Sequence, residues 1–163
     1  MSTVLGLDPG TATTGYGLVQ ARGSQLHCIA YGTLNTPAKT PMPERLAMLF
    51  AELKTLITQY QPESAAVEQL FFYRNVTTAI SVAQARGVVL LALQQAGLSI
   101  GEYTPLQVKQ GVVGYGGADK KQVQQMVKVL LGLNEIPKPD DAADALAVAI
   151  CHSHSRESYG GLV

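Results

Sequence analysis

Two short apolar runs in this chain each end in an acid. Val4-Leu5-Gly6-Leu7 runs into Asp8, and Ser64-Ala65-Ala66-Val67 runs into Glu68. Both runs read as buried strands, and neither needs an acid at its end in order to fold. An ionised carboxylate at the edge of a core is costly unless something cationic compensates it. No Lys or Arg stands close in sequence to Asp8 or Glu68. Two further acids, Asp141 and Asp144, lie three residues apart in an Ala-rich stretch, a spacing that puts them on one face of a helix. The four can share a cation only if the two strands are neighbours and that helix packs beside their ends. Hard oxygen ligands of this kind suit Mg²⁺ or Mn²⁺. Taken alone, Asp8-Pro9-Gly10 is ordinary turn chemistry and Asp140 an ordinary helix cap; the joint pattern points to a metal site.

Along the chain, strands are expected over 4–8, 14–21, 25–34, 65–68 and 98–103. A hairpin-like break falls at Arg22-Gly23-Ser24. Helical spacing of Leu46, Leu49, Phe50, Leu53, Leu56 and Ile57 predicts a helix that Gln61-Pro62-Glu63 ends. Further helices are expected over 76–96, 105–113, 118–131 and 140–152, with a polar tail frayed from 155 onward. Gly114-Tyr115-Gly116-Gly117 is a flexible turn. This order describes one α/β domain spanning 1–163, with a mixed five-stranded sheet flanked by helices.

A chain of 163 residues with 47% hydrophobic and 15% charged residues can bury a real core and is not a disordered segment. Its zero net charge hides a distribution. Four of the 12 acids belong to the candidate metal set, so elsewhere eight acids face 12 basic residues. Such a surface suits a polyanion. Lys109, Lys120 and Lys121 flank the glycine turn and are the best candidates for phosphate contact; Arg74 and Arg86 are weaker ones. Phe71, Phe72 and Tyr73 follow an acid-bearing strand, where aromatic faces can stack on bases that have left a duplex. Cys28 and Cys151 read as buried free thiols. The neighbouring His27, His152 and His154 do not converge as metal ligands. No apolar run is expected to reach the ~20 residues that span a bilayer. The expected compartment is the cytoplasm, with no membrane association.

Gly6-Leu7-Asp8-Pro9-Gly10-Thr11 is similar to the phosphate-binding turn of the actin, heat-shock and sugar-kinase ATPases. Those proteins place nucleotide between two such domains, and this chain has length for one. A larger set of motifs resembles the RuvC family of Holliday junction resolvases. It comprises Leu5-Gly6-Leu7-Asp8-Pro9-Gly10, Thr14-Gly15-Tyr16-Gly17, Val67-Glu68-Gln69-Leu70-Phe71 and Gln84-Ala85-Arg86-Gly87-Val88. It continues through Gln107-Val108-Lys109-Gln110, Val112-Val113-Gly114-Tyr115-Gly116, Lys120 and Asp141-Ala142-Ala143-Asp144-Ala145-Leu146-Ala147.

The resemblance implies a ribonuclease H-like fold, a homodimer, and paired symmetric nicking of four-way DNA junctions in recombination and repair. It implies catalytic and metal-binding roles for Asp8, Glu68, Asp141 and Asp144, with two Mg²⁺ ions per site and Mn²⁺ as a substitute. It also implies DNA contacts by Phe71 and Lys120 and a branch-migration motor complex as partner. The helix over 76–96, rich in Val, Leu and Ala, is a candidate dimer interface. Two other functions fit the fold: a junction-binding module without catalysis, and a general nuclease acting on RNA–DNA hybrids or linear DNA. Four intact acids speak against the first, and the Phe71 loop with Lys109 and Lys120 speaks against the second.

Overall fold

The acid-terminated runs are adjacent strands. The computed structural model describes residues 1–69 and 75–160. Its sheet contains β1 (Ser2–Asp8), β2 (Thr13–Arg22), β3 (Gln25–Asn35), β4 (Ser64–Glu68) and β5 (Ser99–Tyr103), ordered β3-β2-β1-β4-β5. β1 pairs antiparallel with β2, and β2 with β3. β1 pairs parallel with β4, and β4 with β5, so the sheet is mixed. α1 (Met42–Tyr60) connects β3 to β4, and α2 (Val76–Gln95) connects β4 to β5. After β5 come α3 (Pro105–Val113), α4 (Lys120–Leu130) and α5 (Asp140–Gly160).

Strand parity decides where the acids point. Successive side chains alternate between the faces of a sheet. Leu5, Leu7, Ala65 and Val67 pack with Leu49, Leu53, Val89 and Leu93 of α1 and α2. Val4 and Ala66 pack on the other face with Val108, Val127, Leu146 and Ile150 of α3, α4 and α5. Asp8 shares parity with Val4, and Glu68 with Ala66, so both acids belong to the α5 face. The β1–β4 register, Leu7 beside Val67, makes them neighbours one step further on.

α5 lies unusually close to that face. A Cβ placed on Gly6 would overlap the carbonyl oxygen of Ala145, and one on Gly15 that of Asp141. Glycine at these points and alanine at 142, 145 and 149 let helix and sheet backbones touch. The first turn of α5 is thereby brought against Gly15, which pairs with Asp8 across β1–β2.

The helix starts have local causes. Thr104 and Gln107 form a reciprocal capping box ahead of α3, and Asp119 and Gln122 form another ahead of α4. Asn75 caps α2 by accepting from the Thr77 N–H at 2.9 Å.

Two expectations need correction. α5 runs to Gly160, past the expected end at His152 and through the start of the tail expected to fray. Tertiary and back-bonded groups extend it: Ser153 and Ser155 hydroxyls donate to the Ala149 and Cys151 carbonyls, and Arg156 donates to Ser64 Oγ at 2.9 Å. α2, contrary to expectation, is long and apolar enough to cross a bilayer by length and composition alone. It packs Ala85, Val89, Ala92 and Leu93 inward with Leu5, Leu7, Leu49 and Leu53. Val76, Ile80 and Leu91 remain exposed on its outer side.

Candidate active site

Asp8, Asp141 and Asp144 converge. Each offers one carboxylate oxygen, and these oxygens lie within 4.8 Å of one another. Asp8 comes from the end of β1, and Asp141 and Asp144 from the first turns of α5, on one face as their spacing requires. The site opens at the carboxyl ends of β1 and β4, where the chain leaves β1 for β2 on one side and leaves β4 for β5 on the other. Open α/β sheets place their ligand crevices at such a point. Glu68 flanks the three-acid cluster rather than joining it, and lines a cleft of about 280 Å³ together with Asp144, Lys109, Lys120 and Val108.

The electrostatics show an unmet demand for positive charge. Burial, then the charges of Glu68, Asp144 and Asp141, push the Asp8 carboxyl up to about 8. Burial and the charge of Asp144 push Glu68 up to about 7, although Lys120 and Lys109 oppose the shift. Asp144 is also raised, first by burial, with Lys120 again opposing. Like-charged carboxylates crowded in a partly desolvated crevice resist ionisation until a cation joins them. Among the described residues the cluster's donors are carboxylate oxygens, and such a hard donor set fits Mg²⁺ or Mn²⁺ better than a thiophilic metal.

The basic candidates separate. Lys109 and Lys120 line the acidic cleft. Lys120 Nζ lies 3.2 Å from Asp140 Oδ2 and 3.9 Å from Asp144 Oδ2. Burial alone would lower its pKa, but these carboxylates and Asp141 outweigh it and raise the value. Asp140, expected as a cap, receives Lys120 and the Gln124 amide. Lys121 instead borders a separate groove with Gln122, Met126 and Val129. Phe71, Phe72 and Arg74 lie outside the described residues. Arg86 binds Glu102 and the Glu68 carbonyl.

His152 sits away from the acids. Its ring nitrogens are 2.6 Å from the Tyr103 hydroxyl and 3.2 Å from Ser64 Oγ. Cys28 and Cys151 are free cysteines, the second buried with its thiol directed at the Gln107 carbonyl.

Fold and site together define a ribonuclease H-like nuclease with an acidic cluster able to hold metal. The family model described as crossover junction endodeoxyribonuclease RuvC matches residues 4–152. The chain belongs to the RuvC family. It is 65% identical to the crossover junction endodeoxyribonuclease RuvC of Desulfitobacterium hafniense over 152 residues, covering 93% of this chain and 92% of that protein. The Heliobacterium modesticaldum protein of the same name is 62% identical and covers 93% and 94%. Among solved structures, T. thermophilus RuvC in complex with Holliday junction substrate superposes with a TM-score of 0.93 at 36% identity, covering 98% of this chain and 97% of that one. The yeast mitochondrial Holliday junction resolvase Ydc2 shares the fold, with a TM-score of 0.71 at 13% identity.

Proposed function

We propose that this protein is a metal-dependent endonuclease that resolves four-way DNA junctions by paired, symmetric nicks in recombination and repair. The observation that carries the reading is the convergence of Asp8, Asp141 and Asp144 beside Glu68 in a RuvC-family chain. Asp8, Asp141 and Asp144 would hold the metal, with Glu68 completing the set from the cleft side. Two Mg²⁺ ions bound there, or Mn²⁺ in their place, would activate the attacking water and stabilise the leaving oxygen. Lys109 and Lys120 face the same cleft and supply positive charge where a scissile phosphate would sit. Phe71, with Phe72 and Arg74, is assigned to the unstacked bases of the junction centre, and Lys121 to the flanking backbone.

Symmetric nicking needs two sites, and we assign the second to another copy of this chain. The exposed Val76, Ile80 and Leu91 on α2 supply an apolar stripe for that pairing. One nuclease domain per chain, a branch-migration motor complex as partner and a cytoplasmic location complete the proposal.

The test is cleavage of an end-labelled synthetic four-way junction in Mg²⁺, beside a linear duplex and an RNA–DNA hybrid. Paired nicks confined to the junction are expected. Equal cutting of the duplex or the hybrid would replace resolution with general nuclease activity.

A further inference from the structure

Arg86 is the one charged residue of α2, and Glu102 the one charged residue of β5. An isolated cation in an apolar helix needs a partner, and here it has two. Arg86 Nη2 is ion-paired with Glu102 Oε1. Arg86 Nη1 donates to the backbone carbonyl of Glu68 at 2.6 Å. The Arg86 side chain is only 17% exposed, so this charge-assisted bond is partly shielded from water.

The location matters more than the strength. The β1–β4 ladder ends at Leu7 and Val67, one residue short of Glu68. Beyond that point the Glu68–Gln69 peptide unit is held from both ends. Its carbonyl accepts from Arg86, and its N–H, that of Gln69, donates to the Tyr103 carbonyl at 2.7 Å. With the peptide plane held, the Glu68 backbone from which the carboxylate reaches toward the acid cluster is constrained. The planar guanidinium is suited to this bridge because its two Nη groups engage two acceptors in a set geometry, which a Lys ammonium does not reproduce.

We propose that Arg86 is a positioning residue for Glu68, clamped by Glu102 and acting through the Glu68 backbone rather than on DNA. The inference deepens the junction-nuclease reading and rests on it for the meaning of Glu68. Groups that orient metal-binding side chains typically contribute about 10–100-fold to metal affinity or activity.

The experiment compares wild type, Arg86→Lys and Glu102→Gln in three measurements. These are Mn²⁺ binding by calorimetry without DNA, four-way-junction affinity in EDTA, and single-turnover cleavage at saturating Mn²⁺. Arg86→Lys is expected to weaken Mn²⁺ binding and to slow cleavage, each by about 10-fold or more, with junction affinity unchanged. Glu102→Gln, which leaves the guanidinium in place, is expected to shift both values in the same direction by less. If Arg86→Lys does not fold, Glu102→Gln carries the test. Wild-type Mn²⁺ binding and cleavage in the folded variants would overturn the proposal. So would a loss of junction affinity that accounts for the whole cleavage defect, since that marks a DNA contact. Failure of the junction-nuclease reading shows separately, as wild type that binds Mn²⁺ and leaves the junction uncut.

Discussion

The start and the middle of α5 bury polar groups in opposite ways. At its start, Asp141 and Asp144 crowd against Asp8 with Glu68 alongside, and among the described residues only lysines bordering the cleft offset the negative charge. Three turns on, His152 is flanked by the Tyr103 hydroxyl and Ser64 Oγ, and Arg156 donates to that same Ser64. Polar groups with partners rigidify a core; like charges without them raise the energy of the fold. One helix thus carries a structural polar network and a site whose frustration a cation relieves. The contrast separates residues kept for stability from residues kept for chemistry.

Variants at each site should sharpen that contrast. The largest effect is expected from Asp8→Asn, which should lower single-turnover junction cleavage by more than the roughly 10–100-fold typical of supporting residues, with junction affinity retained. Full cleavage by this variant would break the assignment of the acids. Gly15→Ala comes next. Its Cβ meets the Asp141 carbonyl, so the first turn of α5 must move, with an expected loss of about 1–3 kcal/mol in a denaturant melt and a parallel loss of cleavage. A smaller effect, confined to stability, belongs to His152→Ala. Loss of the imidazole bonds to Tyr103 and Ser64 should destabilise the fold by about 1 kcal/mol per bond, while the cleavage rate of the folded protein stays at the wild-type value.

A further set of effects appears as slopes in pH. Asp8 and Glu68 have folded values of about 8 and about 7, against ordinary values of 3.8 and 4.5. The folded metal-free protein therefore holds more protons than the unfolded chain, and stability falls as pH rises from about 4 to about 8. His152 acts with the opposite sign. Burial, helped by the charge of Arg156, pulls it from 6.5 down to about 4. Its contribution is complete above about 6.5 and is lost as pH falls toward about 4. Thermal melts across this range should show the upper arm reduced in Asp8→Asn and the lower arm reduced in His152→Ala. Identical profiles in all three proteins would erase the distinction between the two sites.

Much of this was legible in the sequence because its signals are local. Short apolar runs bounded by turn residues gave five strands whose ends fall within two residues of those observed, and the spacing of Asp141 and Asp144 gave one helix face. Strand order is not local. That β1 lies between β2 and β4 follows from packing of α1 and α2 on one face and α5 on the other. The same reason hid the Arg86–Glu102 pair, whose members sit on different elements. Its available signal was a single charge in each of two otherwise uncharged segments. The length of α5 past His152 was missed because its polar tail looks solvated until Arg156 is seen reaching Ser64. Lys121 shares the sequence context of Lys120, yet adjacent helical residues face different directions, and only Lys120 meets the cleft.

The most direct test of the acid cluster as a frustrated cation site is the melting temperature at pH 7.5 with and without Mn²⁺, for wild type and Asp8→Asn. Relief of repulsion should raise the metal-free melting temperature of Asp8→Asn above wild type, by roughly 3–6 °C if about 1–2 kcal/mol is recovered. Added Mn²⁺ should raise wild type and leave the variant nearly unmoved. An equal rise in both proteins, or a metal-free variant less stable than wild type, would contradict the account.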